Sequence, residues 1–445
     1  MHSQQKIISP IFFLALLTLS LAMLFGGVQG KFGDALAQLS ALALLVLLWH
    51  EQPKINAWPK ASLWAILPLL PLLFFLLPWP ESWRVTGQER MQLATLLQPV
   101  VGSLGVQGSL IPIATERAIF WLLPAIALYL AVLQMRIQQK RRLIACLIFW
   151  IFLGAVLGLA QKGNGVESLL YFYESTNFNS AVGLFANNNH YAIAMAACLP
   201  LVWAVLVWLF NQRLERSVHP LWFVLFAGAA ILFIIGFMLS GSRSGLALGM
   251  FGCLLALPLV ISADQHQGAK HWLLAVLAIG LFITVQMGLY FISLQFEADP
   301  LEDLRVKIYP LVSEVATQFA PFGSGPGSFR FAFMQEGGLL AGDKIINHAH
   351  NDYLELWMEM RWWFVLVAAP LLLAYAAKGL HVWFRGVAYQ PDNLLLARAA
   401  SIGLLLLMLH SFVDYPLRTS ALLALSGVLA ALLARPERIV QSESE

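Results

Sequence analysis

Long apolar runs recur along the whole chain, and they decide what it can fold into. Hydrophobic residues make up 59% of the 445 residues and charged residues only 11%, and the mean hydropathy is +0.74. Most runs approach the roughly 20 residues that a helix needs to cross a hydrocarbon core of roughly 30 Å. Only helices and closed barrels span a bilayer, and strands of a barrel would alternate polar and apolar residues. Continuous runs therefore predict an all-α polytopic membrane protein.

We predict about twelve transmembrane helices. They cover residues 8–28, 35–49, 61–79, 118–134, 143–160, 191–210, 221–240, 246–263, 272–293, 362–380, 394–412 and 421–434. The first run lacks a small-x-small cleavage site and further spans follow it, so we expect a retained anchor and not a signal peptide.

The distribution of basic residues predicts the orientation. With the N-terminus placed inside, the inner side holds 15 basic and 7 acidic residues and the outer side holds 12 basic and 17 acidic ones, and the loop "MRIQQKRR" is the strongest inner cluster. By the positive-inside rule, both termini are expected in the cytoplasm. The net charge of +3 then reflects topology and not nucleic-acid binding. The cysteines Cys146, Cys198 and Cys253 all fall within spans, so neither a disulfide framework nor a zinc site is expected.

The polar segments that carry motifs all fall on the opposite, outer face. They are residues 81–117, residues 161–190 ending in "GLFANNNHYA", the link "LSGSRSG", the long segment 294–361 and "LHSFVDYPLRTSA". The inner loops hold no nucleotide-binding motif. Chemistry on the outer face would therefore need a donor that is already activated.

The long outer segment has a helical pattern. Its apolar residues recur at spacings of three and four, which predicts an amphipathic helix. "FGSGPGSF" should end that pattern. The stripe consists of Leu304, Ile308, Leu311, Val315 and Phe319.

Candidate functional residues cluster on this outer face. Histidines titrate near neutral pH and suit acid–base chemistry, whereas arginines bind phosphate oxygens in bidentate fashion. The candidates are Asn187, Asn189, His190, Arg243, Arg305, His348, His350, Asn351, Asp352, His410 and Asp414.

Several of these residues have structural alternatives. The asparagines at 187–189 would also serve as a helix N-cap, and Arg243 as a snorkelling interface anchor. His410 and Asp414 are four residues apart on a helix and would simply pair.

The "HAH" histidines offer a choice of chemistry. His348 and His350 have a metal-ligating spacing, but the neighbouring asparagine suits hydroxyl groups better than a transition metal, so we expect no metal. Glu355 and Glu359 would form a paired or solvated helix face. We interpret Arg418 as a membrane-rim anchor rather than a ligand.

Five motifs resemble, in order, the O-antigen ligase family. They are "GLFANNNHYA", "LSGSRSG", "DLRVKIYPLVSEVATQFAPFGSGPGSF", "HAHNDYLELWMEM" and "HSFVDYPL". The resemblance covers about residues 183–418. The family includes ligases, repeat-unit polymerases and oligosaccharyl-transferring relatives. It implies a twelve-span, GT-C-like, metal-independent inverting glycosyltransferase that needs no cofactor, with a long helical periplasmic loop between spans 9 and 10.

The resemblance also implies site roles. The donor would be a glycan on undecaprenyl diphosphate, with His350 as base and Arg243 and Arg305 on the diphosphate. The remaining candidates would position sugar or support the catalytic groups. Relatives usually have a glycine eleven residues after the histidine, where this chain has Arg361.

Together these features predict a bacterial inner-membrane enzyme with a periplasmic site. We expect N-terminal helices at 1–134, a ligase-like core at 143–434 that includes the loop 294–361, and a cytoplasmic tail at 435–445. The expected acceptor is lipid A core. A polymerase that extends a growing glycan, a protein-acceptor transferase and a glycolipid transporter remain as alternatives.

Overall fold

The structure is a computed structural model that places most of the chain. It describes residues 9–28, 32–52, 54, 58–84, 86, 90–92, 95, 107–165, 168–173, 180–215, 219–261, 271, 274, 275, 278, 282, 286, 304–334, 346–386 and 389–436. Over these residues the fold is helical.

Fifteen α-helices are named here in chain order. They are α1 Pro10–Phe25, α2 Phe32–Glu51, α3 Leu69–Leu76, α4 Glu81–Arg84, α5 Pro112–Gln134, α6 Ile137–Asn164, α7 Asn188–Glu215, α8 Pro220–Leu239, α9 Arg243–Ile261, α10 Leu304–Gln318, α11 Phe329–Ala332, α12 Asp352–Met360, α13 Trp362–Phe384, α14 Pro391–His410 and α15 Ser420–Ala434. Two 3₁₀ helices, Lys60–Ala65 and Pro416–Arg418, lie between them.

The helix lengths agree with a polytopic membrane protein. Among the described residues, eight helices are long and apolar enough to span a bilayer, and α1 and α15 are shorter apolar helices. These ten coincide with ten of the predicted spans. The ninth predicted span, 272–293, lies largely outside the described residues. The total of twelve, the GT-C-like arrangement and the proposed domain limits stay predictions.

The prediction of one continuous third span, 61–79, was wrong. This stretch forms the 3₁₀ helix Lys60–Ala65 and the eight-residue helix α3. Pro68 lies between the two pieces. Proline lacks an N–H donor and disfavours helical backbone at the preceding residue, so the apolar pattern alone overestimated the helix.

Helix α7 forms the centre of the bundle. In the most apolar stretch of this helix 89% of residues are buried, against 6% for α13. Helix α7 packs against α6, α8, α9 and α14. At Gly403 of α14 a β-carbon would lie 2.5 Å from the carbonyl oxygen of Ala197. A small residue there lets the two backbones approach closely.

An outer layer of short helices covers one end of the bundle. Ile308 and Val315 of α10 and Phe319, directly after its end, are buried, and they pack with Phe329 of α11 and Met358 of α12. The amphipathic stripe predicted for this helix is therefore confirmed at these three positions. The stripe fixes α12, which carries the carboxylates of the site.

The junction between α12 and α13 has an unusual backbone conformation. Arg361 has φ 49° and ψ −124°, and its N–H donates to the carbonyl oxygen of Trp357. This region is accessible to glycine and strained for other residues. This backbone conformation is therefore a physical reason to expect glycine at this position.

We predict that Arg361→Gly is more stable than Arg361→Ala by about 1–2 kcal/mol, because only glycine relieves the strain. Comparing these two variants cancels the loss of the guanidinium, which lies 4.3 Å from the ring centroid of Trp357. Thermal unfolding of the purified variants measures the difference.

Arg385 provides the matched control because its φ of −126° is open to any residue. There the order should reverse, with Arg385→Ala at least as stable as Arg385→Gly. If the glycine variant were the more stable one at both positions, or the alanine variant at both, strain at Arg361 would be contradicted.

Candidate active site

The site forms where the start of α12 meets the turn after α14. The N–H of Asp352 donates to the carbonyl oxygens of Ser411 at 2.9 Å and Asp414 at 3.2 Å. Asn351 caps α12, since its side-chain oxygen accepts from the N–H of Leu354 at 3.0 Å. These bonds bring together two segments that are some sixty residues apart in the chain.

His350 and Asp414 form a histidine–carboxylate pair. The Nδ1 atom of His350 lies 3.3 Å from Oδ1 of Asp414, and the side chain of His350 is 35% exposed while Asp414 is fully buried. The hydroxyl of Tyr309 donates to the carbonyl oxygen of His350 at 2.6 Å. A carboxylate at Nδ1 favours the tautomer whose Nε2 is a proton acceptor.

Asp414 is held in its ionised form. Burial alone would raise its pKa, but the hydrogen bond with His350 and the nearby His190 and His410 outweigh burial and lower it. Its second oxygen lies 3.8 Å from Nε2 of His410. The predicted pairing of His410 with Asp414 is therefore present, although at a long distance, and Asp414 is shared with His350.

His348 makes a second pair, with Glu355. Its Nδ1 atom lies 3.0 Å from Oε1 of Glu355, and the other oxygen accepts from the N–H of Ala349 at 2.9 Å. Burial would raise the pKa of Glu355, but Arg418 and His348 outweigh it and lower the pKa to about 2. Two histidines separated by one residue thus have different carboxylate partners.

Tyr415 separates the two pairs, and sequence reasoning gave it no role. Its ring stacks on His348 at 4.2 Å between centroids, and meets His350 edge-on at 5.0 Å and His190 at 4.9 Å. Burial and the charge of Asp414 raise the pKa of its phenol, so the hydroxyl stays neutral. Its position next to Asp414 in the chain was the only signal available.

The structure confirms the capping alternative for the asparagine run at 187–189. Asn187 accepts from the N–H of Asn189 at 2.7 Å, and its side-chain amide donates to the hydroxyl of Tyr415 at 3.5 Å. Asn188 donates to the carbonyl oxygen of Ser240 at 3.0 Å. His190 is buried, and its Nε2 has no hydrogen-bond partner among the described residues.

The two predicted phosphate-binding arginines lie on different elements. Arg305 lies in the first turn of α10, and its positive charge acts on Tyr415. Arg243 is exposed at the start of α9, directly after the link that Asn188 contacts through Ser240. The structure therefore places Arg305 near Tyr415 and Arg243 at the start of a helix that packs against α7.

The interpretation of Arg418 as a rim anchor was wrong. Arg418 is only 8% exposed. Its Nη2 lies 3.3 Å from Glu355 and 3.0 Å from Glu359, and its Nε lies 3.7 Å from Asp352. These carboxylates lie on one face of α12, so the paired-face reading of Glu355 and Glu359 is confirmed.

Asp352 is enclosed by protein groups. It is fully buried and accepts from the hydroxyl of Ser411 at 2.9 Å and the N–H of Leu417 at 3.1 Å. Burial raises its pKa to about 7, against the opposing charge of Arg418. One arginine facing three carboxylates leaves a surplus of negative charge, which explains why a proton is retained in this cluster.

A cavity of about 730 Å³ opens beside His348. Its wall comes from α2, α5, the start of α7, the residues around α11, α12 with the loop before it, and the turn before α15. Among the predicted site residues it includes His348, His190 and Asn187, and His350 lies outside its lining. Within the described ranges no group of three His, Cys, Asp or Glu side chains is placed to hold a metal ion.

One comparison with known proteins matches part of the chain. Residues 228–360 match the family model described as O-Antigen ligase. The matched segment is less than a third of the chain, and it includes Arg243, Arg305, His348 and His350. No curated protein matches the chain.

The resemblance to the O-antigen ligase family is therefore confirmed for this segment. The match and the apolar helices together indicate a membrane enzyme of O-antigen ligase or polymerase type. The roles of the individual residues stay predictions.

We predict that Arg418→Met destabilises the protein by about 3–5 kcal/mol, since it leaves buried carboxylates without their cation. Arg141→Met is the control because Arg141 pairs with Asp392 in a partly exposed position and should cost about 1 kcal/mol or less. Denaturant unfolding in detergent measures both. Equal losses would contradict a buried ionic cluster at Arg418.

The pKa of Asp352 predicts a pH dependence. Its folded value of about 7 exceeds the value of about 3.9 for an unfolded chain. The folded state therefore binds more protons, and this contribution to stability is lost as the pH rises from about 4 to 7. In Asp352→Asn the loss of stability between pH 5 and pH 8 should be smaller than in the wild type.

Asp392→Asn is the control for this measurement, since Asp392 has a partly exposed pair with Arg141. The Asp392→Asn variant should lose as much stability between pH 5 and pH 8 as the wild type does. An unchanged difference in Asp352→Asn would show that Asp352 does not hold the proton.

Proposed function

We propose that the protein transfers a glycan from undecaprenyl diphosphate to an acceptor hydroxyl, with His350 as the general base. The observation that carries the proposal is the pair of His350 with the buried, ionised Asp414. The carboxylate orients the imidazole and stabilises the imidazolium that forms when Nε2 takes a proton. The partial exposure of the His350 side chain leaves room for an acceptor hydroxyl.

Arg305 and Arg243 bind the diphosphate in this proposal. Guanidinium groups keep their charge and bind phosphate oxygens in bidentate fashion, so they stabilise the negative charge that develops on the leaving diphosphate. The nearness of Arg305 to the histidine cluster supports this role. The acceptor oxygen attacks the anomeric carbon from the face opposite the diphosphate, which inverts the configuration.

The remaining predicted residues act mainly through their neighbours. Asn351 caps α12 and Asp352 joins that helix to the turn after α14, so both are positioning residues. His410 lies beside Asp414 in the protein interior and would support that carboxylate. The other candidates lie at the start of α7 or against Tyr415, where they would order the sugar. They are Asn187, Asn189, His190 and His348.

We assign the acceptor as lipid A core and the location as the outer face of a bacterial inner membrane, without metal or cofactor. The excess of basic residues in the short inner loops supports this orientation. A polymerase that adds repeat units to a growing glycan is the alternative, because the matched family segment does not distinguish acceptors.

An in vitro transfer assay tests the proposal. Purified protein, lipid-linked glycan and lipid A core are incubated with EDTA, and the glycosylated product is followed. We expect His350→Ala and Asp414→Asn to lower the rate by roughly 10²–10⁴-fold, and Arg243→Ala and Arg305→Ala to lower it as well. His381→Ala, at a ring contact with Tyr389 far along α13, should leave the rate unchanged.

The outcomes separate the assignments. Product on lipid A core in EDTA supports a metal-independent ligase, whereas elongated lipid-linked glycan supports a polymerase. A loss in His348→Ala with wild-type rates in His350→Ala and Asp414→Asn would move the base to His348. Absence of transfer to either acceptor by the wild type would overturn the proposal.

A further inference from the structure

Two elements that line the cavity beside His348 each contribute an arginine and aromatic side chains, and the proposed reaction centre at His350 uses none of these residues. On α5, Arg117, Phe120 and Trp121 lie at i, i+3 and i+4 and all line it, as expected for one helix face. Arg330 and Phe331 of α11 line it from the other side. Helix α5 is one of the candidate spans, so Phe120 and Trp121 lie further into the membrane-spanning helix than Arg117.

The acidic groups of the cavity wall are already engaged. Asp34 accepts from Gln38 and Ser420, and Glu355 and Glu359 pair with Arg418. Such buried, paired carboxylates have little capacity left for a ligand cation.

The two arginines at the rim differ from the groups inside. Arg117 and Arg330 are exposed, and among the residues that the structure describes neither forms an ion pair or a side-chain hydrogen bond. Two guanidinium groups that no other described residue engages therefore line a cavity of about 730 Å³. Positive charge at the rim of such a cleft attracts anions.

We propose that this cavity binds the phosphorylated headgroup of a membrane-embedded glycolipid. Arg117 and Arg330 hold the phosphate oxygens, and Phe120 and Trp121 contact the adjoining apolar chain. A volume of about 730 Å³ is in the range of small-ligand sites and accommodates a phosphorylated sugar. The headgroup then ends beside His348 and Tyr415, next to the reaction centre.

The inference rests on the proposed function for its choice of ligand, since two glycolipids meet in that reaction. One source of the phosphate is the diphosphate of the donor, and the other is a phosphorylated saccharide in the acceptor lipid. The chemistry at Arg117 and Arg330 is the same for both, so the experiment has an arm for each.

Binding is measured with the full-length protein in phosphatidylcholine nanodiscs. The probes are undecaprenyl diphosphate, diphosphorylated lipid A and dephosphorylated lipid A. We expect Arg117→Gln and Arg330→Gln each to weaken binding of one phosphorylated probe about tenfold, because each loses a charged hydrogen bond. Arg330→Lys should retain part of the affinity, because it keeps the charge without the bidentate geometry.

Lys307→Gln is the matched control. Lys307 is an exposed cation of α10 that does not line the cavity, and its loss should leave binding unchanged. None of the variants should change binding of dephosphorylated lipid A. Thermal unfolding of each variant confirms that the fold is intact.

A loss confined to lipid A assigns the cavity to the acceptor, and a loss confined to undecaprenyl diphosphate assigns it to the donor. Wild-type binding of both phosphorylated probes by both glutamine variants would overturn the inference, as would an equal loss in Lys307→Gln. If the wild type transfers glycan while these variants bind and transfer normally, the inference fails alone. If the wild type binds the probes but transfers nothing, the proposed function fails and the binding site stands.

Discussion

The buried ion cluster of Arg418 is the interaction on which the site depends. A charge that is buried loses its hydration and needs protein partners in its place. Arg418 has three such partners, the carboxylates of α12. Arg418 belongs to the turn that follows α14, which also carries Asp414 and Tyr415. The cluster therefore fixes the position of α12, and of the loop before it, relative to that turn. The distance between His350 and Asp414 is a consequence of this attachment.

The backbone around the site supports the same arrangement. His350 has a φ of 52°, a conformation that a residue with a side chain adopts only when its surroundings hold it there. Here the Tyr309 hydroxyl binds its carbonyl oxygen and the next residue caps α12. The two histidines of the "HAH" motif then meet the ring of Tyr415 differently, His348 stacked on it and His350 edge-on. One histidine faces Asp414 and the other faces Glu355 and the cavity.

This division gives the two histidines different chemical surroundings. His350 has a buried carboxylate at Nδ1 and an exposed edge, whereas His348 stacks on Tyr415 and borders the cavity. A base needs an orienting partner and access to the proton that it removes. A residue that stacks on an aromatic ring at a cavity wall is suited to holding a ligand. Under the proposed function, this arrangement assigns proton transfer to His350 and substrate placement to His348.

The sequence by itself determined the class of fold and the face on which polar residues gather. Apolar runs act locally, because each helix satisfies its own backbone hydrogen bonds in a bilayer, so helices were predicted at ten correct positions without knowledge of packing. Eight of these ten helices are long and apolar enough to span a bilayer. The prediction of the third span failed because Pro68 interrupts an otherwise apolar run. The span predicted at residues 272–293 lies largely outside the described part of the chain. The motif order also predicted the family resemblance that residues 228–360 confirm.

Only the tertiary structure decided how these residues are paired. Arg418 looks like a membrane anchor in sequence, because its three carboxylate partners lie about sixty residues away in the chain. Tyr415 has no motif of its own, yet three histidines from two other segments meet its ring. The different partners of His348 and His350, and the cavity beside only one of them, follow from long-range packing. Periodicity and local motifs carry no information on such contacts, since these depend on where distant segments meet.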